Sequence, residues 1–182
     1  MTILPFQLAR ALREGGAVER CHTIPHHGSY TVGQHSYDAL SLLLVLHPDP
    51  TLALVKAVLW HDVPERWTGD VPANAKWDNH RLAHALAVSE GKVFDALGLG
   101  PLFEGLSEEE CSWLHAVDRL ELWLWCQDQL ALGNSNVRVV QKNLAEWSGA
   151  RSAMPDPVWR VLQQLVPAPR TDALPVALKE VG

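Results

Sequence analysis

The stretch SEEECSWLHAVDRLELWLWCQDQLALG, residues 107–133, decides how the chain folds. Ser107 followed three residues later by Glu110 is a capping box, in which each side chain satisfies a backbone N–H that the first helical turn leaves without a partner. The helix it opens is expected over about Glu108–Leu130, and Gly133 stops it. Its apolar stripe is Cys111, Leu114, Leu122 and Trp125. Asp118 interrupts that stripe, four residues after Leu114 and four before Leu122.

Working outward, the rest of the chain reads as further helices with short breaks. A first helix is expected near Pro5–Arg13, stopped by Gly15-Gly16, followed by an irregular loop from Val18 to Thr31. A second spans about Gln34–Leu46, with the stripe Ala39, Leu42, Leu43, Leu46. A third starts at Asp49-Pro50, a cap and a first-turn proline, and runs to about Asp62 with the stripe Leu52, Val55, Val58, Leu59. PERWTGDVPANAKW (64–77) is a loop or short-helix segment. A fourth helix covers His80–Leu97, and GLGPLFEG (98–105) is a turn. Two more fit Val137–Trp147 and Pro157–Val166, and 168–182 is expected to be an extended arm. No alternating strand, internal repeat or low-complexity block interrupts this pattern. The expected fold is all-α: one domain over 1–182, a bundle of about six to eight helices.

Composition narrows the function classes. The 182 residues carry 15 Lys+Arg against 21 Asp+Glu, a formal charge of −6, with 47% hydrophobic and 20% charged residues. Those proportions exclude a disordered or collagen-like chain. The mild acidity argues against a protein that coats a nucleic-acid polymer. No apolar run approaches the roughly 18 residues of a membrane helix, and the N-terminus lacks the order of a signal peptide. Three cysteines, Cys21, Cys111 and Cys126, form no disulfide framework and suit a reducing cytoplasm.

The informative residues are polar ones on faces that should be apolar. His35 occupies the first position of the second stripe, four before Ala39. His61 and Asp62 close the third, and Asp118 stands within the long one. A buried carboxylate costs several kcal/mol unless paired or bound to a metal. Two histidines and two carboxylates from three helices satisfy one another around one divalent ion of the Mn, Fe, Co, Ni or Zn kind. The set lacks cysteine, which suits a catalytic site better than a closed structural one. Taken singly, each residue also fits a plain structural role; the joint pattern is what points to metal.

The order His35, His61-Asp62, Asp118 is the H…HD…D signature of the HD-domain metal-dependent phosphohydrolases, which are all-helical. ERCHTIPHHGSYTVGQHS (19–36), LWHDVPERWTGDVPANAK (59–76) and VDRLELWLWCQDQLALGN (117–134) together resemble the YfbR-like 5′-deoxynucleotidase branch. There an Arg stands fifteen residues before the first ligand, HD-x-x-E is followed by T-G-D-x-P, and the last Asp opens a stretch ending in a Gly-Asn turn. The resemblance covers about residues 17–150. It implies that His35, His61, Asp62 and Asp118 bind the metal, that Arg20 holds the phosphate, that Glu65 is the acid/base or water-orienting carboxylate, and that Asp70 contacts the sugar side. It further implies a deoxynucleotide substrate and a homo-oligomer, dimer or higher. The position after the Arg, commonly aromatic in the family and lying over the substrate, is Cys21 here, with His22 next. A phage branch that removes the whole triphosphate from dATP is also similar.

The residue chemistry agrees. A bound metal generates a nucleophile from water near neutral pH, and Asp62 stands beside metal and water alike. Arg20 can grip phosphate with two N–H groups. Glu65 is placed to exchange a proton with the leaving oxygen, although a surface carboxylate beside Arg66 reads equally well. Asp70 after Gly69 also reads as a turn residue. Lys76 is a second phosphate contact or a solvated lysine. Trp67 and Trp77 are base-stacking or packing residues. His22, His26 and His27 form a loop over the phosphate or a solvent-exposed cluster, and Cys111 and Cys126 are core residues. The expected activity is hydrolysis of deoxynucleoside 5′-monophosphates to nucleoside and phosphate. The rivals are a triphosphohydrolase acting on dNTPs, dATP first among them, and a non-catalytic nucleotide-binding regulatory domain.

Overall fold

The structure is a computed structural model that describes residues 3–149 and 154–165, without the side chains of residues 74, 77, 78 and 146–149. The arm expected over 168–182 and the Trp77 indole lie outside the described residues. Seven helices of nine residues or more carry the fold among the described residues: α1 Pro5–Gly15, α2 Val32–Leu46, α3 Leu52–Trp60, α6 His80–Leu97, α8 Glu108–Ala131, α9 Arg138–Gly149 and α10 Asp156–Gln164. Three short ones, α4 Glu65–Thr68, α5 Ala73–Asp78 and α7 Gly100–Glu104, fill the links. Extended pairing among the described residues is limited to an isolated antiparallel bridge between Glu19 and Thr31. None of the described helices is long and apolar enough to cross a membrane.

α8 is the axis of the molecule. Its capping box forms as expected, the Ser107 hydroxyl accepting from Glu110 N–H and the Glu110 carboxylate accepting from Ser107 N–H. It packs along α2, and α3 closes against both. Ala39 and Leu43 of α2, Leu54, Ala57 and Val58 of α3, and Val117 and Leu120 of α8 form one fully buried cluster. A second cluster joins α1 to the α6–α7 corner through Ala11, Val63, Leu97 and Leu99.

Three local expectations need correction. α3 begins two residues later than expected, because Thr51, not Asp49, caps it by accepting from Leu54 N–H. Its buried face is Leu54, Ala57 and Val58, because that side meets α2 and α8, and Leu52 is 67% exposed. GLGPLFEG is not a plain turn: Pro101 at the start of α7 supplies a preset φ, and residues 100–104 coil once. On α8, Cys111 is only half-buried, whereas Trp113, Ala116 and Val117 are inside. The wider stripe arises because α8 is covered on more than one side.

Leu43→Ala should cost about 2–5 kcal/mol, since the side chain is fully enclosed. Leu44→Ala, at an exposed position next door, should stay within about 0.5 kcal/mol. Urea unfolding of the two variants checks which face of α2 is inside.

Candidate metal centre

The site forms where α2, the end of α3 and the middle of α8 meet. His35 is completely buried, one turn into α2 behind the Thr31 cap. His61 is the residue that ends α3, and Asp118 is brought to the same point by α8. His35 Nε2 lies 3.4 Å from His61 Nε2 and 3.1 Å from Asp118 Oδ1. Asp118 Oδ1 is 3.7 Å from His61 Nε2, and all three donor atoms lie within 4.8 Å of one another.

The tautomers of both histidines follow from their other ring nitrogens. His61 Nδ1–H donates to the Val58 carbonyl at 2.9 Å. His35 Nδ1–H donates to the Glu121 carboxylate. With both Nδ1 atoms acting as donors, both Nε2 lone pairs point at the space shared with Asp118. Nitrogen lone pairs facing each other beside a carboxylate need a cation or protons between them. In the metal-free chain protons take that place. Burial opposes the charged form of His61, but Asp62 and Asp118 outweigh it and raise its pKa to about 9. For His35 burial and Arg20 work downward, and the bonds to Asp118 and Glu121 prevail, so its pKa is also raised. Asp118 is held well below its ordinary value: burial opposes ionisation, and the two histidines overcome it. Ligands so poised exchange protons for a divalent ion. The donor set therefore fits a first-row transition ion.

Asp62 stands at the edge of this cluster. Its Oδ2 is 3.3 Å from His61 Nε2 and 3.7 Å from His35 Nε2, and the same oxygen accepts from Arg20 Nη1. Arg20 comes from the loop between α1 and α2. That loop is closed on itself by Arg20 N–H to Tyr30 O at 2.7 Å and Val32 N–H to Val18 O at 2.8 Å. The buried guanidinium lies over the Tyr30 ring, and its Nε has no hydrogen-bond partner.

Glu65, at the start of α4, is buried, with Oε2 unpartnered. Burial first, then the charge of Asp62, raises its pKa to about 9 against the pull of Arg20. It therefore carries a proton at neutral pH. Asp70 follows Gly69, whose φ of 73° turns the chain after α4. Its Oδ2 accepts the Cys21 N–H at 2.8 Å. That bond fixes Cys21 at φ 51°, a left-handed conformation that few side chains adopt. Burial raises the Cys21 thiol to about 11, so it is neutral.

A cavity of about 540 Å³ opens over these groups, with Arg20, Asp62, Glu65, Lys76, Asp118 and Arg119 on its polar side. Cys21 and Asp70 line it as well. Trp67 is about half exposed, stacked under Arg66 and away from the cavity lining. His26 packs edge-on against Trp125, and the His27 backbone is bonded to Gln129, so this end of the histidine loop is anchored to α8.

Two site residues escape the periodicity argument. Glu121 is almost fully buried, accepting from His35 Nδ1 and, at 2.5 Å, from the Tyr30 hydroxyl. The signal was its place three residues after Asp118, on the same helix face. Tyr30, stacked on Trp125, holds Glu121 in turn.

Asp118→Ala should abolish binding of one equivalent of a divalent transition ion, read by equilibrium dialysis with metal analysis. Glu121→Gln keeps the shape but weakens the orientation of His35, so metal affinity should drop by roughly 10- to 100-fold in the same assay.

Comparison with known proteins adds the fold. No protein-family model matches the chain, and no curated protein sequence matches it. Among solved structures, it is similar to the cyanophage S-2L HD phosphohydrolase DatZ, bound to dA and one catalytic Zn2+ ion. The TM-score is 0.68 at 18% identity, covering 90% of this chain and 95% of that one. It is also similar to the PH0347 protein of Pyrococcus horikoshii OT3, with a TM-score of 0.67 at 15% identity, covering 87% and 96%. The chain shares the all-α fold of these two structures.

Proposed function

We propose that the protein is a metal-dependent phosphohydrolase of 2′-deoxynucleotides that cleaves deoxynucleoside 5′-monophosphates to nucleoside and phosphate. The observation that carries this reading is the convergence of His35 Nε2, His61 Nε2 and Asp118 Oδ1, with Arg20 and Glu65 on the same cavity. Asp62 is the proposed fourth ligand. The cyanophage neighbour's bound dA and Zn2+ belong to the same ligand classes.

The metal, when bound, would supply Lewis acidity and an activated water. The chain's own groups account for the rest. Asp62, the proposed fourth ligand, now accepts from Arg20. With Asp62 holding the ion, Arg20 would have N–H groups, Nε included, for the phosphoryl oxygens, where it would orient the ester and stabilise developing charge. As water adds to phosphorus and the P–O5′ bond breaks, Glu65 gives its proton to the leaving O5′, and the proton that the attacking water sheds restores Glu65 to its acid form. Asp70, by holding the Cys21 N–H, keeps Arg20 aimed inward and leaves one carboxylate oxygen for the sugar side.

One observation favours the second reading, triphosphate release from a dNTP. Lys76 lines the cavity along with Arg20, a second cation that suits a longer phosphate chain better than a monophosphate. Incubation with dAMP and with dATP in the presence of Mn or Co decides. Free phosphate from dAMP supports the first reading and tripolyphosphate from dATP the second; pyrophosphate with dAMP left behind sinks both. Glu65→Gln should lower kcat by roughly a hundredfold or more with metal content retained. Wild type and Glu65→Gln equally inert, yet both binding nucleotide, would establish a regulatory binding domain instead.

A further inference from the structure

The cavity has two chemically different halves. The polar half carries the charged groups already described. On the opposite wall α8 presents Leu122, α9 presents Val139, Val140 and Leu144, and the loop adds Ile24. Residues 139, 140, 143 and 144 share one face of α9, which sets Asn143 in the middle of this aliphatic wall. The carboxamides of Gln129, Asn134 and Asn136 are spent on the loop. Gln129 pairs with both backbone groups of His27, while Asn134 and Asn136 bond the Pro25 carbonyl. The half-buried Asn143 carboxamide has no hydrogen-bond partner among the described residues. The carboxamide faces the cavity among aliphatic side chains, and a ligand that displaces water from it must bring a matching edge to avoid a desolvation penalty.

We propose that Asn143 reads the edge of a nucleobase seated on the α8–α9 wall. The inference rests on the phosphohydrolase reading and names the part of the substrate that the charged half does not hold. A carboxamide offers a donor beside an acceptor, and its complement is a base edge with an acceptor beside a donor, as in the paired contacts of Asn with adenine. The described cavity lining holds no aromatic ring. The base faces therefore meet Leu122, Val139, Val140 and Ile24, which bind any base by area, and the choice between bases falls to Asn143. Cys21, small and turned by its left-handed φ, leaves the base room between loop and wall.

Asn143→Leu keeps the bulk and removes the reading edge. The test compares kcat/KM for a deoxynucleoside 5′-monophosphate with that for 2-deoxyribose 5-phosphate, the same ester without a base. The ratio should fall by roughly tenfold to a hundredfold in the variant; a ratio equal to that of wild type overturns the assignment. Calorimetric binding of the four deoxynucleosides decides independently of turnover. Binding at least tenfold weaker in Asn143→Leu for one or more of them supports the proposal. Equal binding, or no binding by wild type, overturns it. A wild-type protein that binds deoxynucleosides but hydrolyses no phosphate ester overturns the phosphohydrolase reading alone.

Discussion

A histidine sealed among leucines and valines must find a partner for each ring nitrogen, and His35 is sealed completely. Its Nδ1 is taken by Glu121 and its Nε2 faces Asp118, both from α8. That double tie fixes the rotation of α2 against α8 as firmly as the apolar cluster beside it. A slip of one helical position would strand a buried imidazole and the buried Glu121 carboxylate, each a penalty of several kcal/mol. The polar site and the register of the main helix pair are therefore one constraint.

The same helix then serves the rest of the cavity. Asp118 points to the cluster, Glu121 lies behind it, and Leu122 forms the start of the apolar wall. Farther along, Gln129 and the Asn134 turn tie down the loop that brings Arg20 and Cys21 over the site. The loop is thereby held at both ends, by its bridge to Thr31 at the root and by α8 at the tip. Preorganisation of this kind suits a site whose work is to hold a charged ester still.

Much of this was legible in the sequence because the helices carry their own punctuation. Ser107 and the glycines mark ends, and His35 and Asp118 stand out because leucines surround them. The start of α3 was misread because Asp49-Pro50 imitates a cap two residues before the real one at Thr51, and its stripe was misread because nearly every residue of LALVKAVLW is apolar, so periodicity alone does not choose the face. Glu121 stayed hidden because a helical glutamate reads as surface until its helix is known to be covered on more than one side. Trp67 illustrates the converse: an aromatic beside a motif suggests stacking on a ligand, yet it pairs with the neighbouring Arg66. Nor does the sequence reveal that Cys21 adopts a left-handed φ, since that follows from Asp70 gripping its N–H across the cavity.

Anomalous diffraction at the metal edge, on crystals of zinc- or cobalt-loaded protein, tests the central claim most directly. The account predicts one strong peak at coordination distance from His35 Nε2, His61 Nε2 and Asp118 Oδ1. A map with no peak there, or with the ion bound at the His22–His27 loop instead, would contradict it.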